Sequence, residues 1–179
     1  MGRDEAIRSL ERLSDDSRRI INVCNNEPDL PAALVTTSYL DAGLRTLLAA
    51  FFRESSVANR LLDSTRGALG TFASRADLAY ALGLIPKPLY QDVMRIAEIR
   101  NKFAHTHLEV TFDSDDVRGL CAELHYLETL SREASADLRA LFDAVLPPRA
   151  RFLASAVVIS HRIMGYSSRL QRVPECVER

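Results

Sequence analysis

The stretch PLYQDVMRIAEIRNKFAH, residues 88–105, decides the fold class. Its apolar residues recur at spacings of three and four, which is typical of a helix with one buried side. They are Leu89, Val93, Ile96 and Phe103. Pro88 suits the first turn of a helix, because its missing N–H would have no partner there. The pattern therefore predicts one amphipathic helix from Pro88 to His105.

The remainder of the chain shows the same helical periodicity. No internal repeat and no alternation of strands with helices is found, so the sequence predicts an all-α bundle of about six to seven helices. The other predicted helices cover residues 4–25, 30–54, 71–82, 114–127, 134–145 and 149–170, and residues 56–62 are a candidate for a further short helix. Pro147-Pro148 is the clearest break. It divides a helical bundle, residues 1–146, from a C-terminal segment, residues 147–179, that packs on or extends the same domain.

Several local features lead to more specific predictions. Asp41 and Arg45 stand four residues apart in a predicted helix, a spacing that favours an ion pair. Gly83 suits the C-terminal cap of the helix that precedes it. Gly67 and Gly70 match no phosphate-binding fingerprint, so the segment around them is interpreted as a tight connection. The arginines of the last helix indicate a solvated basic face.

The composition limits the function classes. The 179 residues carry a net charge of -1, so no global basic field attracts nucleic acid or membrane. The three cysteines are widely spaced and form neither a metal motif nor a disulfide framework, which fits a reducing cytoplasm. The N-terminus lacks an apolar signal core, and no apolar run reaches the ~20 residues needed to cross a bilayer. We expect a soluble, cytoplasmic protein without a metal or cofactor.

One family resemblance is broad. Residues 67–85, GALGTFASRADLAYALGLI, resemble the mannitol operon repressor (MtlR) family. Residues 36–41, the region 90–92 and residues 112–117 fit the same pattern, so the similarity covers about residues 31–124. The resemblance implies an all-helical bacterial regulator without an obvious DNA-reading helix. Such a protein acts through protein partners, and direct sequence-specific binding to DNA is not expected.

A second resemblance centres on the end of the focal helix. Arg100-Asn101-Lys102-Phe103-Ala104-His105 is similar to the motif of HEPN domains, helical bundles whose nuclease members carry an arginine, usually a polar residue next, and a histidine four to six residues after the arginine. His107 fits the longer spacing. The resemblance implies a HEPN-like core and, in active members, RNA cleavage without metal, commonly across a dimer.

The chemistry of this cluster is reasonable for RNA cleavage. Histidine titrates near neutral pH and can move the proton of a ribose hydroxyl. Arginine stays charged and can hold a phosphate, while Asn101 could orient either partner. Arg100 and His105 are about 140° apart around an ideal helix, so they meet only at a frayed end or between two copies. The structural alternative is that Asn101 and His105 cap or brace the helix end while Arg100 pairs with a carboxylate such as Glu98 or Asp92.

Two functions follow from the sequence. The first is a bacterial transcriptional regulator or interaction module of the mannitol repressor type, acting through a protein partner. The second is a metal-independent endoribonuclease, a toxin or defence effector, with Arg100 and His105 as catalytic residues, Asn101 supporting and His107 as a substitute for His105. Both predict a homodimer, and the second adds RNA as a partner.

Overall fold

A computed structural model describes residues 26–105, 110–131 and 146–174. Within these ranges the chain forms helices and no strand, which confirms the predicted all-α class. The helices are α1 (Asp29–Phe51), α2 (Ser56–Leu61), α3 (Phe72–Ala81), α4 (Lys87–His105), α5 (Asp115–Ala122), α6 (Tyr126–Ser131) and α7 (Pro148–Ser167). The helices predicted over residues 4–25 and 134–145 lie outside the described residues. No helix in the described ranges is long and apolar enough to span a membrane.

Helices α1 and α7 form the centre of the bundle. Both bury a continuous apolar side, and Gly43 of α1 lies against Ile163 of α7. A Cβ added at Gly43 would stand 3.7 Å from the Ile163 side chain, which is ordinary van der Waals contact. The aromatic ring of Phe152 on α7 also packs against Phe112, with ring centroids 5.2 Å apart. Burial of these apolar side chains is the main stabilising contribution to the bundle.

Helix α4 confirms the prediction made from residues 88–105. It begins at Lys87, one residue before Pro88, and continues without interruption to His105. The predicted apolar side is buried against α1, α3, α5 and α7. Its buried residues are Leu89, Asp92, Val93, Ile96, Ile99 and Phe103.

Both ends of α3 are determined by local sequence. At its start, Thr71 and Ser74 form a reciprocal capping box, in which the Thr71 hydroxyl accepts a hydrogen bond from the Ser74 N–H at 3.1 Å. At its end, Gly83 has φ of 70°, and the N–H groups of Gly83 and Leu84 donate to carbonyls of the last turn. This is a Schellman motif, which confirms Gly83 as the C-terminal cap.

The helix predicted from Ser114 through Leu127 is wrong as a single element. The structure has two helices here, α5 and α6, with a break at residues 123–125. The cause is Asp92, a buried carboxylate on α4 that accepts hydrogen bonds from the backbone N–H groups of His125 and Tyr126, at 3.1 and 2.8 Å. Burial raises the pKa of Asp92, and these two hydrogen bonds partly oppose that rise. A side chain from another helix therefore starts α6.

The arginines at the start of α7 do not form a solvated basic face. Arg149 forms an ion pair with Asp29 at the start of α1, and Arg151 donates to the Leu124 carbonyl at 2.9 Å and to Glu128 at 3.1 Å. Asp29 also accepts the N–H of Phe112 at 2.9 Å. These side chains connect distant parts of the chain. Of the arginines in the prediction, only Arg162 lies exposed on α7, and exposed Arg169 follows the end of the helix.

The connection between α2 and α3 is tight, as predicted from its glycines. The N–H of Gly67 donates to the Asp63 carbonyl at 3.0 Å, and the N–H of Leu69 donates to the Leu61 carbonyl at 2.9 Å. The Asp63 carboxylate accepts from the Thr65 hydroxyl, the Thr65 N–H and the Arg66 N–H. These hydrogen bonds lower the pKa of Asp63. They hold the segment that forms one side of the cleft described below.

Cys121 should resist thiol reagents in the folded protein. Its side chain is fully buried on α5, and burial raises its pKa to about 12. At about pH 8 this pKa leaves roughly 1 thiol in 10,000 as the reactive thiolate. In a variant carrying Cys24→Ser and Cys176→Ser, we expect a chromogenic disulfide reagent to modify Cys121 only after denaturant is added. Rapid reaction in native buffer would contradict this result.

Candidate functional site

A cleft lies between α1, α3, α4 and the connection that precedes α3. Its volume is about 370 Å³, and eight of its twelve lining residues carry a hydroxyl, amide or charged group. The lining residues are Thr37, Ser38, Asp41, Ser64, Gly70, Thr71, Phe72, Ala73, Arg75, Ala97, Arg100 and Asn101. The cleft is therefore built from segments far apart in the sequence, and only its α4 side was anticipated from the sequence.

One wall of the cleft holds a buried ion pair. Arg75 is 3% exposed and Asp41 is 29% exposed. The Arg75 Nε and Nη2 atoms donate to the two carboxylate oxygens of Asp41 at 2.8 and 2.6 Å, and Nη1 donates to the Leu69 carbonyl at 2.6 Å. This two-pronged geometry joins α3 to α1. The predicted pairing of Asp41 with Arg45 is wrong, because Asp41 points to α3.

The α4 side of the cleft carries two residues of the HEPN-like motif. Arg100 is half-buried, and its Nη1 donates to Asn101 Oδ1 at 3.1 Å. The alternative in which Arg100 pairs with Glu98 or Asp92 is wrong, because Glu98 binds Arg95 at 2.6 Å and Asp92 starts α6. No carboxylate of the described residues forms an ion pair with Arg100. Its positive charge is therefore available at the cleft.

His105 of the motif is not brought to the cleft. His105 is the last residue of α4, is exposed and does not line the cleft. Because α4 stays helical through His105, the angular separation from Arg100 is kept within one chain. His107 lies outside the described residues. The structure thus brings Arg100 and Asn101 together, and the catalytic assignment of all four residues stays a prediction.

Sequence reasoning missed the opposite wall of the cleft. Thr71 and Ser74, three residues apart at the start of a predicted helix, gave a recognisable capping signal. Asp41 and Arg75 gave no such signal, because they lie on two different helices whose relative position cannot be deduced from the sequence. Within the described ranges, no group of three or more histidine, cysteine, aspartate or glutamate side chains could hold a metal ion.

Comparison with known proteins assigns the chain to a family. A sequence model of the mannitol repressor family, MtlR, matches residues 22–150. The chain belongs to the mannitol repressor family. This confirms the broader of the two resemblances, whereas the HEPN-like core and motif stay predictions. The matched residues include every element that lines the cleft.

Individual relatives are distant. The mannitol operon repressors of Escherichia coli K12 and of Escherichia coli O6:H1 strain CFT073 are each 27% identical over 128 residues, which is 68% of this chain. The chain spans 65% of the length of these curated relatives. A chain from a crystal structure of the MtlR–HPr complex of Escherichia coli aligns with a TM-score of 0.62 at 22% identity. The alignment covers 83% of this chain and 98% of that chain. This likeness establishes a shared fold.

Proposed function

We propose that this protein is a cytoplasmic transcriptional regulator that acts by binding a protein partner. The observation that supports the proposal is the match of the mannitol repressor family to residues 22–150. The chain carries a net charge of -1, and the arginines at the start of α7 are engaged in contacts within the bundle. Regulation through a partner fits such a surface better than direct reading of DNA.

The partner to test first is an HPr protein. The structural neighbour from Escherichia coli is a complex with HPr, and we transfer that partner to this chain as part of the proposal. A stacked pair of tyrosines suits a protein contact. The rings of Tyr80 and Tyr90 are 4.5 Å apart and nearly parallel, and Tyr80 is 38% exposed. Tyrosines are enriched among the residues that contribute most to interface affinity.

The experiment is titration calorimetry of the purified chain with HPr from the same organism. We expect binding in the micromolar range and about a tenfold loss of affinity in Tyr80→Ala. Val57→Ala, which truncates another exposed apolar residue, is the matched control and should bind normally. Absence of HPr binding, together with a specific operator shift by the chain alone at physiological salt, would overturn the proposal.

A second function is supported by the position of Arg100. An arginine whose charge faces a cleft beside an amide side chain can hold a phosphate of RNA. His105 would have to come from a second copy, because it lies on another side of α4 within one chain. The proposal of a metal-independent endoribonuclease therefore includes a homodimer.

The nuclease proposal is tested by RNA cleavage in EDTA, with light scattering to determine the oligomeric state. Cleavage by the wild type that is lost in both Arg100→Ala and His105→Ala would support it. No cleavage of several RNAs by a correctly folded protein would leave the regulator as the function.

A further inference from the structure

The two arginines that line the cleft differ in whether a carboxylate balances their charge. The charge of Arg75 is balanced by Asp41, with both carboxylate oxygens and all three donating nitrogens already in hydrogen bonds. Arg100 contacts the neutral amide of Asn101, and no carboxylate of the described residues pairs with it. The first turn of α3 also lines the cleft, and the N-terminus of a helix carries a partial positive charge. The cleft therefore favours an anionic group near Arg100.

The rest of the lining suits a ligand with several hydroxyl groups. Thr37, Ser38 and Ser64 contribute hydroxyls. Those of Thr37 and Ser38 donate to the carbonyls of Ala33 and Leu34 at 2.8 Å, so their oxygens serve as acceptors for the hydroxyl groups of a ligand. Asp41 remains 29% exposed, so its carboxylate is accessible from the cleft although it holds Arg75. The apolar residues of the lining are Phe72, Ala73 and Ala97. An apolar ligand would cover the charge of Arg100 without compensating it, at a cost in free energy.

We propose that the cleft between α1, α3 and α4 binds a small phosphorylated polyhydroxy compound, with its phosphate at Arg100 and its hydroxyls along α1. Guanidinium groups bind phosphate with strong, charge-assisted hydrogen bonds. The cleft volume of about 370 Å³ lies within the range typical of small-molecule sites. This inference goes beyond the proposed function, because the ligand is bound by the chain alone, without HPr, DNA or RNA.

The test is calorimetric titration of the purified full chain with a hexose 6-phosphate, the unphosphorylated hexose and inorganic phosphate. We expect the hexose phosphate to bind more tightly than either other probe, because only it carries both a phosphate and several hydroxyl groups. Arg100→Gln should weaken its binding about tenfold or more, which corresponds to the loss of a charge-assisted hydrogen bond. Ala97→Leu, which fills the cleft without changing its charge, should weaken binding to a similar extent.

Arg118→Gln is the matched control. It removes the same charge from an exposed arginine that pairs with Asp115 and lies outside the cleft, and it should leave the affinity within about twofold of the wild type. Circular dichroism establishes that all variants are folded. Absence of binding by the wild type at roughly 10 mM hexose phosphate would overturn the proposal. Equal affinities in wild type, Arg100→Gln and Ala97→Leu would overturn it too.

The outcome of the ligand titration is independent of the outcome of the HPr titration. Ligand binding without HPr binding would support the cleft and remove the proposed partner. HPr binding without ligand binding would support the proposed partner and overturn the proposed ligand site. If inorganic phosphate binds as tightly as the hexose phosphate, the hydroxyl part of the proposal is wrong.

Discussion

Replacement of Asp41 by asparagine is expected to lower the free energy of unfolding by about 3 kcal/mol, because it leaves the charge of buried Arg75 without a carboxylate. Arg75 is 3% exposed, so water reaches its guanidinium group poorly. The Leu69 carbonyl accepts only one of its hydrogen bonds. The measurement is urea unfolding followed by circular dichroism.

The control for Asp41→Asn is Asp115→Asn, the same change in an exposed ion pair. Asp115 is 88% exposed and pairs with Arg118, which is 58% exposed, so its loss should cost less than about 0.5 kcal/mol. A further variant, Asp41→Asn with Arg75→Met, should be more stable than Asp41→Asn alone, because it removes the unpaired buried charge. Equal stability of Asp41→Asn and the wild type would show that the pair does not hold α3 to α1.

The Gly67→Ala substitution is expected to cost about 3 kcal/mol, because the added methyl group would overlap backbone atoms. A Cβ at this position would stand 2.2 Å from the Leu61 carbonyl oxygen, and 2.6 Å from the carbonyl oxygens of Arg60 and Asp63. Backbone atoms cannot move aside as a flexible side chain can. The connection before α3 would therefore have to open, and thermal unfolding should report a lower midpoint.

Gly119→Ala is the matched control for Gly67→Ala. Gly119 lies within α5, and a Cβ there would meet nothing within 4 Å. Alanine is the better helix former, so this variant should be stabilised by about 0.5 to 1 kcal/mol. A Gly67→Ala protein as stable as the wild type would mean that the connection is not as tightly packed as its geometry indicates.

The two substitutions affect the same region for different reasons. Asp41 and Arg75 hold α3 against α1 through charge, whereas Gly67 allows the preceding connection to pack closely on itself. Both contributions shape the walls of the cleft, since Asp41, Arg75 and Gly70 line it. We therefore expect the hexose phosphate affinity to fall in Asp41→Asn and Gly67→Ala wherever the proteins remain folded.

The sequence alone determined the all-α class, the approximate bounds of most described helices and the family. Helix α4 was predicted within one residue at its start, and Gly83 was identified as a cap, because periodicity and capping depend on neighbours within a few residues. The similarity of residues 67–85 to mannitol repressors was also readable directly. These features are local, and the chain carries them in any arrangement of its helices.

Only the tertiary structure decided which side chains meet. Asp41 pairs with Arg75 rather than Arg45, Arg149 pairs with Asp29, and Asp92 begins α6 within the single helix predicted over residues 114–127. Each contact joins residues more than 30 positions apart, so it depends on how helices cross rather than on spacing along one of them. The cleft arises in the same way. Arg100 reaches it and His105 does not, because α4 stays helical to its last residue and turns the two side chains to different sides.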